Sequence, residues 1–188
     1  MKNLKTIALA LVTLVTVSVS AQTTKKVNVQ KSKVEWLGKK VTGKHNGTID
    51  LKEGALVFKK KKLVGGTFVV DMTSINTTDL TGDYKGKLDG HLKSDDFFGV
   101  EKFPTATLVF KTLTDKGNNT STVTADLTIK GKTNPITFDI TINGNSATTK
   151  LIVDRAKYDI KYGSGSFFDN LGDKTIYDEF ELDVTLNF

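Results

Sequence analysis

The sequence predicts an all-β fold: a closed antiparallel barrel of about eight strands, with one helix near residues 80–92 covering part of one end. Three observations predict it. Apolar and polar residues alternate strictly after Lys31, the pattern of strands with one buried face. The connections between these runs carry short-turn chemistry, which favours antiparallel neighbours. Only one stretch departs from period two, and so many one-faced strands would leave open edges unless the sheet closes on itself.

Taken in order, residues 1–21 read as an export signal, with Lys2 and Lys5 ahead of an apolar run from Ile7 to Val19 and a Val-Ser-Ala ending. Cleavage near Ala21 would leave residues 22–188 as a single domain in the periplasm or outside the cell. The apolar run is too short and too rich in Thr and Ser for a membrane span, which needs about 20 residues. The strand signals then run through Val34 and Trp36, Ile49 and Leu51, Leu56 and Phe58, and Phe68, Val70 and Met72. After the middle come Ala106, Leu108 and Phe110, then Val123 to Ile129, then Ile136 to Ile142. Leu151 with Val153, Tyr158 with Ile160 and Tyr162, and a long run from Ile176 to Phe188 complete a set of roughly eight to ten strands. Most runs cover about 4 to 8 residues, short of the 9 to 11 of membrane-spanning strands, which argues against an outer-membrane barrel. Asn143-Gly144 is a hairpin signal, and Gly131 with Pro135 punctuates the connection before it.

Between Leu80 and Phe98, Leu80, Tyr84, Leu88 and Leu92 recur every four residues and draw an apolar stripe on a helix. Gly82, Gly86 and Gly90 weaken it by nearly ~1 kcal/mol each relative to Ala, so packing must hold it.

Composition narrows the chemistry. The chain has no Cys, which excludes disulfide scaffolds, zinc-thiolate and iron–sulfur sites and a cysteine nucleophile. Its formal charge of +6 falls to +4 without Lys2 and Lys5, and Arg155 is the sole arginine, which argues against a nucleic-acid partner. No nucleophile elbow, P-loop, zinc-protease or dinucleotide motif occurs, and no cofactor is expected. The two histidines, His45 in the turn Gly43-Lys-His-Asn-Gly47 and His91 beside the helical stripe, form a catalytic or metal pair only if the fold joins them. With no third ligand evident, no metal site is expected. Hydrogen-bonded structural histidines, or contacts to the polar end of a ligand, are the competing readings.

Arg155 shares strand parity with Leu151 and Val153, so it faces inward and must be paired. Asp95, Asp96 and Asp178 are candidate partners, and an anionic ligand group is the alternative. The parity changes by Tyr158, which implies a bulge or corner near Ala156. Lys59 to Lys62 read as a solvated hairpin end or as a contact for anionic lipid. Phe97-Phe98 and Phe167-Phe168 fall in loops, where they either plug the core or form an apolar doorway.

Several strings fall together in order: Trp36-Leu-Gly, Gly43-Lys-His-Asn-Gly47, Gly66-Thr-Phe-Val-Val-Asp-Met72, Leu88-Asp-Gly-His-Leu-Lys-Ser-Asp-Asp-Phe-Phe98, Phe103-Pro-Thr-Ala106, Leu127-Thr-Ile-Lys-Gly131 and Val153-Asp-Arg-Ala-Lys-Tyr-Asp-Ile160. From about residue 30 to its end the chain resembles the YceI-like family of exported bacterial proteins. The resemblance implies a lipocalin-like barrel and, for some members, an isoprenoid or other long amphiphile in an apolar tunnel. His45, His91, Leu92, Phe97, Phe98, Arg155 and Tyr158 match the family pattern, while Ala156 stands where a hydroxyl residue is commoner.

The expected tunnel wall is Phe68, Val70, Met72, Leu127, Ile129, Phe138, Ile140, Phe180 and Leu182 from the strands, with Leu88, Leu92, Phe97, Phe98 and Tyr158 near the helix and corner. His45, His91 and Arg155 are the expected head-group contacts. The function this implies is carriage of an isoprenoid or fatty amphiphile without turnover, with transient membrane contact and a homodimer as further partners to consider. Two other readings compete: a small lipid-acting isomerase or hydrolase with His45 or His91 as base, and a structural barrel with no ligand.

Overall fold

A computed structural model describes residues 21–188; the export-signal reading, apart from its last residue, lies outside the described residues. The alternation becomes nine strands: β1 (Gln22–Lys26), β2 (Lys33–Lys40), β3 (Gly43–Lys59), β4 (Lys62–Thr77), β5 (Thr105–Gly117), β6 (Thr120–Ile129), β7 (Lys132–Asn143), β8 (Ser146–Asp154) and β9 (Ile176–Asn187). One helix, α1 (Gly82–Lys93), lies between β4 and β5. Every pairing is antiparallel, and β2 through β9 form a ring of eight in which β9 returns to β2 and β3 pairs with β4. The ninth strand, β1, pairs with the far half of β3. It lies in line with β2 beyond a 3-10 turn at Val29–Lys31.

Strand β6 shows how the sequence produces this. Val123, Ala125, Leu127 and Ile129 are buried, while the threonines between them face outward. Both hydroxyls meet a threonine on β7, at 3.3 Å for Thr124–Thr137 and 2.7 Å for Thr128–Thr133, and Thr120 at the start of the strand lies 2.9 Å from Thr141. Such cross-strand pairs fix register on the wet face while the dry face fixes it from within.

The strands are longer than the alternation predicts, reaching 17 residues in β3 and 16 in β4. Register shifts between Thr48 and Asp50, Leu51 and Glu53, and Val57 and Phe58 interrupt the period without ending the strand. Strand length therefore does not argue against a membrane barrel. The outer face does, because charge fills the place of an apolar band. Lys116 meets Asp139 at 2.7 Å, Lys111 meets Asp126 at 3.4 Å, and Glu181 sits between Lys150 at 2.8 Å and Lys39 at 2.5 Å. Hydrogen bonds from Lys150 and Lys39 hold the Glu181 carboxyl down to about 2.

The turns are tight. Lys60-Lys61 and Asn118-Asn119 adopt left-handed backbone in two-residue hairpins. At Asn143-Gly144 the turn centre lies one residue on, because Asn143 pairs with Ser146. The parity change after Arg155 is a 3-10 corner, Arg155–Tyr158, capped by the Asp154 side chain on the Ala156 amide at 3.0 Å.

The two ends differ. At one, Leu56, Phe58, Leu63, Val123, Ala147 and Leu186 are all buried and fill the bore. The other carries α1 and the long β8–β9 connection. Helix α1 has no buried residue: Tyr84 is 75% exposed and Leu88 half-buried, leaving Leu92 as its apolar contact with the core. Polar ties hold it instead. Asp89 accepts the Thr77 amide at 2.8 Å and pairs with Lys85, which also donates to Asn76 at 2.7 Å.

Inward glycines make room for aromatic side chains. A Cβ on Gly47 would lie 2.0 Å from the Asn76 carbonyl oxygen and 2.6 Å from the Trp36 ring, whereas one on Gly38 would meet nothing within 4 Å. Gly47→Ala should therefore cost about 2 to 3 kcal/mol in urea denaturation through overpacking. Gly38→Ala should be neutral within about 0.5 kcal/mol or slightly stabilising.

Candidate functional site

The bore above the filled end is hollow. Two apolar cavities follow one another along the barrel: an upper one of about 140 Å3 beside α1 and a lower one of about 70 Å3. Val34, Val70, Leu127 and Leu182 line both, so the two chambers adjoin along the bore. Along β9 the lining runs from Ile176 to Leu186, roughly 33 Å of strand, or about 25 Å of depth at the usual barrel tilt. Gly38, Lys39, Arg155 and Thr149 interrupt an otherwise aliphatic and aromatic wall. Water needs two to four polar partners to settle in a cavity, so such a space favours hydrocarbon. Lys39 and Tyr177 line the upper chamber yet are exposed, which marks the mouth.

Most of the residues expected in the wall lie along one or both chambers. Val70, Leu127 and Leu182 line both chambers. Met72, Leu92, Phe97, Phe98, Ile129 and Phe180 line the upper one, and Phe68, Phe138 and Ile140 the lower. Leu88 and Tyr158 line neither. Leu88 lies on a helix tied down by polar contacts rather than by its stripe, and Tyr158 is buried in the corner after β8. Trp36, Gly38, Ile49, Ile75, Ala106, Ile176 and Tyr177 also line the upper one. Continuing the Val34–Trp36 parity by one step reaches Gly38, which has no side chain to mark it in the alternation.

The histidines do not meet the channel. His45 belongs to strand β3 rather than to a turn, and its Nδ1 lies 2.9 Å from Asp79 Oδ2. Asp79 Oδ1 also accepts the Asn46 amide at 3.2 Å, so the pair clasps the start of β3 to the segment before α1. His91 packs edge-on against Tyr162 at 4.4 Å and Phe97 at 5.6 Å, with its Nε2 buried and without a hydrogen-bond partner. Neither histidine lines either chamber, and the two are not brought together. Among the described residues no three His, Cys, Asp or Glu side chains gather as metal ligands.

Arg155 does line the upper chamber, at 1% exposure, but most of its donors are spent. Its Nε donates to the Tyr177 carbonyl at 3.2 Å, and its terminal nitrogens donate to Ile160 at 2.8 Å and Ile176 at 3.0 Å. Asp178 Oδ1 lies 3.3 Å away, and Phe97 stacks below the guanidinium at 5.4 Å. Of the three carboxylates proposed from sequence, Asp178 is the partner; Asp95 pairs with Lys102 instead. Burial pushes the Arg155 pKa down, the carboxylates of Asp178 and Asp154 oppose it, and the group stays protonated. This binds β8, the corner and β9 together, with three of the five guanidinium N–H donors held by backbone carbonyls.

An eight-stranded antiparallel barrel with an apolar channel open at one end is the architecture of a ligand-binding barrel. The YceI-like domain model matches residues 25–188, and the chain belongs to the YceI-like family. It is 52% identical over 58 residues to a UPF0312 protein of Staphylococcus aureus (strain MRSA252), a match covering 31% of each chain. It is also 42% identical over 85 residues to the UPF0312 protein of strain USA300, covering 47% of that protein, so the chain spans less than half the length of the curated relatives it matches. Among solved structures, Burkholderia cenocepacia BcnA superposes with a TM-score of 0.63 at 25% identity, over 85% of this chain and 98% of that one. A polyisoprenoid binding domain from Saccharophagus degradans, implicated in plant cell wall breakdown, superposes with a TM-score of 0.57 at 14% identity, over 89% and 97%.

Two outcomes follow from the corner. Arg155→Met strands three carbonyls and one carboxylate, so it should destabilise the protein by about 3 kcal/mol in urea. Amide exchange should speed up over residues 160–177. Burial pushes the Tyr158 phenol up to about 12 from an ordinary 10. Between those values the unfolded chain loses a proton that the folded one keeps, so stability should fall as pH rises from 10 to 12. Tyr158→Phe should flatten that limb of a pH series of thermal melts.

Proposed function

We propose that the protein binds and carries a long-chain amphiphile of isoprenoid type, and does so in the periplasm or outside the cell after loss of residues 1–21. The observation that carries this reading is the shape and chemistry of the bore: narrow, deep, apolar and open at one end. A branched hydrocarbon chain fits such a channel better than a compact polar metabolite does. Burial supplies about 0.8 kcal/mol per methylene, so two or three prenyl units approach the 8 kcal/mol of a micromolar complex. With Arg155 committed to backbone carbonyls, affinity comes from the chain, and the head group stays near Lys39 and Tyr177 at the mouth. The fold match to a polyisoprenoid binding domain is consistent with this reading.

Gly38 provides the test, because it lines the upper chamber, has free space where a side chain would go and has no left-handed backbone. Organic extraction of the purified protein followed by mass spectrometry should yield a long-chain isoprenoid or related lipid. Gly38→Leu should lower that yield roughly tenfold by filling the channel while leaving the melting temperature near that of the parent. A parent protein that yields no lipid and takes up none from a prenyl alcohol suspension would overturn the reading.

A further inference from the structure

Phenylalanine is placed unevenly along the bore. Phe68, Phe110 and Phe138 line the lower chamber and not the upper. Their rings form a chain of contacts, with centroids 5.6 Å apart for Phe68–Phe110 and 5.8 Å for Phe110–Phe138. Two of the rings rest where a neighbouring strand has no side chain. Gly54 pairs with Phe68 across β3 and β4, and a Cβ there would lie 2.6 Å from the Phe68 ring. A Cβ on Gly66 would lie 2.8 Å from the Phe110 ring and 3.1 Å from that of Phe68. Gly54 continues the inward series of Leu56 and Phe58, and Gly66 that of Phe68 and Val70, so each glycine stands where a core side chain would otherwise point. A phenyl ring lies back against the sheet in its place. The bulk of the rings is thereby drawn to the wall and this level stays hollow, whereas beyond it Leu56, Val123 and Ala147 close the bore.

A level lined by large apolar side chains and still left hollow calls for an occupant, because atoms that face a void lose their dispersion partners. Its place along the bore says which part of a ligand that is. Val34, Val70, Leu127 and Leu182 border both chambers and form a waist between them. Along β9 the upper wall runs from Ile176 to the waist at Leu182, roughly 20 Å of strand, or about 15 Å of depth at the usual tilt. The lower wall continues from Leu182 to Leu186, about 10 Å of depth. An extended chain advances roughly 1.2 Å per bond, so a prenyl unit, which adds four bonds, spans about 5 Å. Three units therefore reach the waist. A fourth passes it and sets its two terminal methyl groups among the three rings, and the thickness of the waist and of those methyl groups takes up the remaining depth.

We propose that the lower chamber is the specificity-determining end of the site: it receives the branched terminus of the chain, on Phe68, Phe110 and Phe138, and sets the preferred length at about four prenyl units. This rests on the carrier reading and refines it from a class of amphiphile to a chain length. Trp36 makes the two separable. It is the sole tryptophan and lines the upper chamber, so its fluorescence reports any chain that enters, whatever its length.

The purified protein is offered an equimolar mixture of farnesol, geranylgeraniol and solanesol, which have three, four and nine prenyl units, and the retained alcohols are extracted and quantified by mass spectrometry. Geranylgeraniol should be retained roughly tenfold over farnesol, and solanesol no more than about twofold over geranylgeraniol, because units beyond the fourth find no wall. Val184 lines only the lower chamber, and Val184→Phe fills it, so the preference for geranylgeraniol over farnesol should fall to within about twofold. Gly66→Ala drives the Phe110 ring off the wall and should shift the preference the same way. Melting curves establish that each variant is folded, and the parent's own length series stands without them.

Equal retention of farnesol and geranylgeraniol by the parent would mean that chains stop at the waist. A steady rise to solanesol would mean that the lower chamber sets no limit, and a preference unchanged in a folded variant would mean that it reads nothing. Each of these overturns the proposal. A parent that retains none of the three alcohols and shows no change in Trp36 fluorescence overturns the carrier reading itself, and the proposal with it.

Discussion

Closure of the sheet on itself at eight strands is the constraint from which the rest follows. That number fixes a bore just wide enough for side chains to fill, so the size of each inward residue decides whether a level of the barrel is solid or hollow. At the filled end Leu56 and Val123 are fully buried and the bore is closed. Nearer the mouth, Gly38 and Ala106 stand at inward positions among larger residues, and the level they occupy stays open. The cavity is thus a property of residue size on an unbroken ring of hydrogen bonds, not of a gap between strands.

The second dependency is the Arg155–Asp178 pair. A buried guanidinium is seldom the cheapest way to stabilise a core, because its desolvation offsets most of the Coulomb gain. Here it satisfies three carbonyls that the chain leaves unpaired as it turns out of β8 and back into β9, where no regular ladder runs. An aliphatic residue would leave those carbonyls buried and bare. The same carboxylate then reaches Ser166, so a single polar cluster joins the channel wall to the loop carrying Phe167 and Phe168.

Much of this was legible in the sequence, and the misses have physical causes. Inward strand residues from Phe68 to Leu182 announced themselves by parity, because a period-two pattern survives any register. Strand ends did not, because a bulge in β3 resets parity just as a turn would. Leu88 misled for a different reason: its spacing is that of a packed helix, but α1 is held through Asp89 and Lys85, and polar ties have no periodicity. The glycines around His45 predict a turn, yet Gly47 is in the strand to admit the Trp36 ring. Gly38 escaped notice because parity arguments count side chains, and its contribution is to have none.

The asymmetry of the two ends bears on direction. On the carrier reading, the fully buried aliphatic side chains at the far end leave one mouth for a chain to enter and leave. On that reading the lower chamber would receive the tail and the upper chamber the part next to the head group, since the polar interruptions near Lys39 and Tyr177 lie at the top of the wall. Tail-first entry requires the mouth to meet a surface from which tails can be drawn without crossing water.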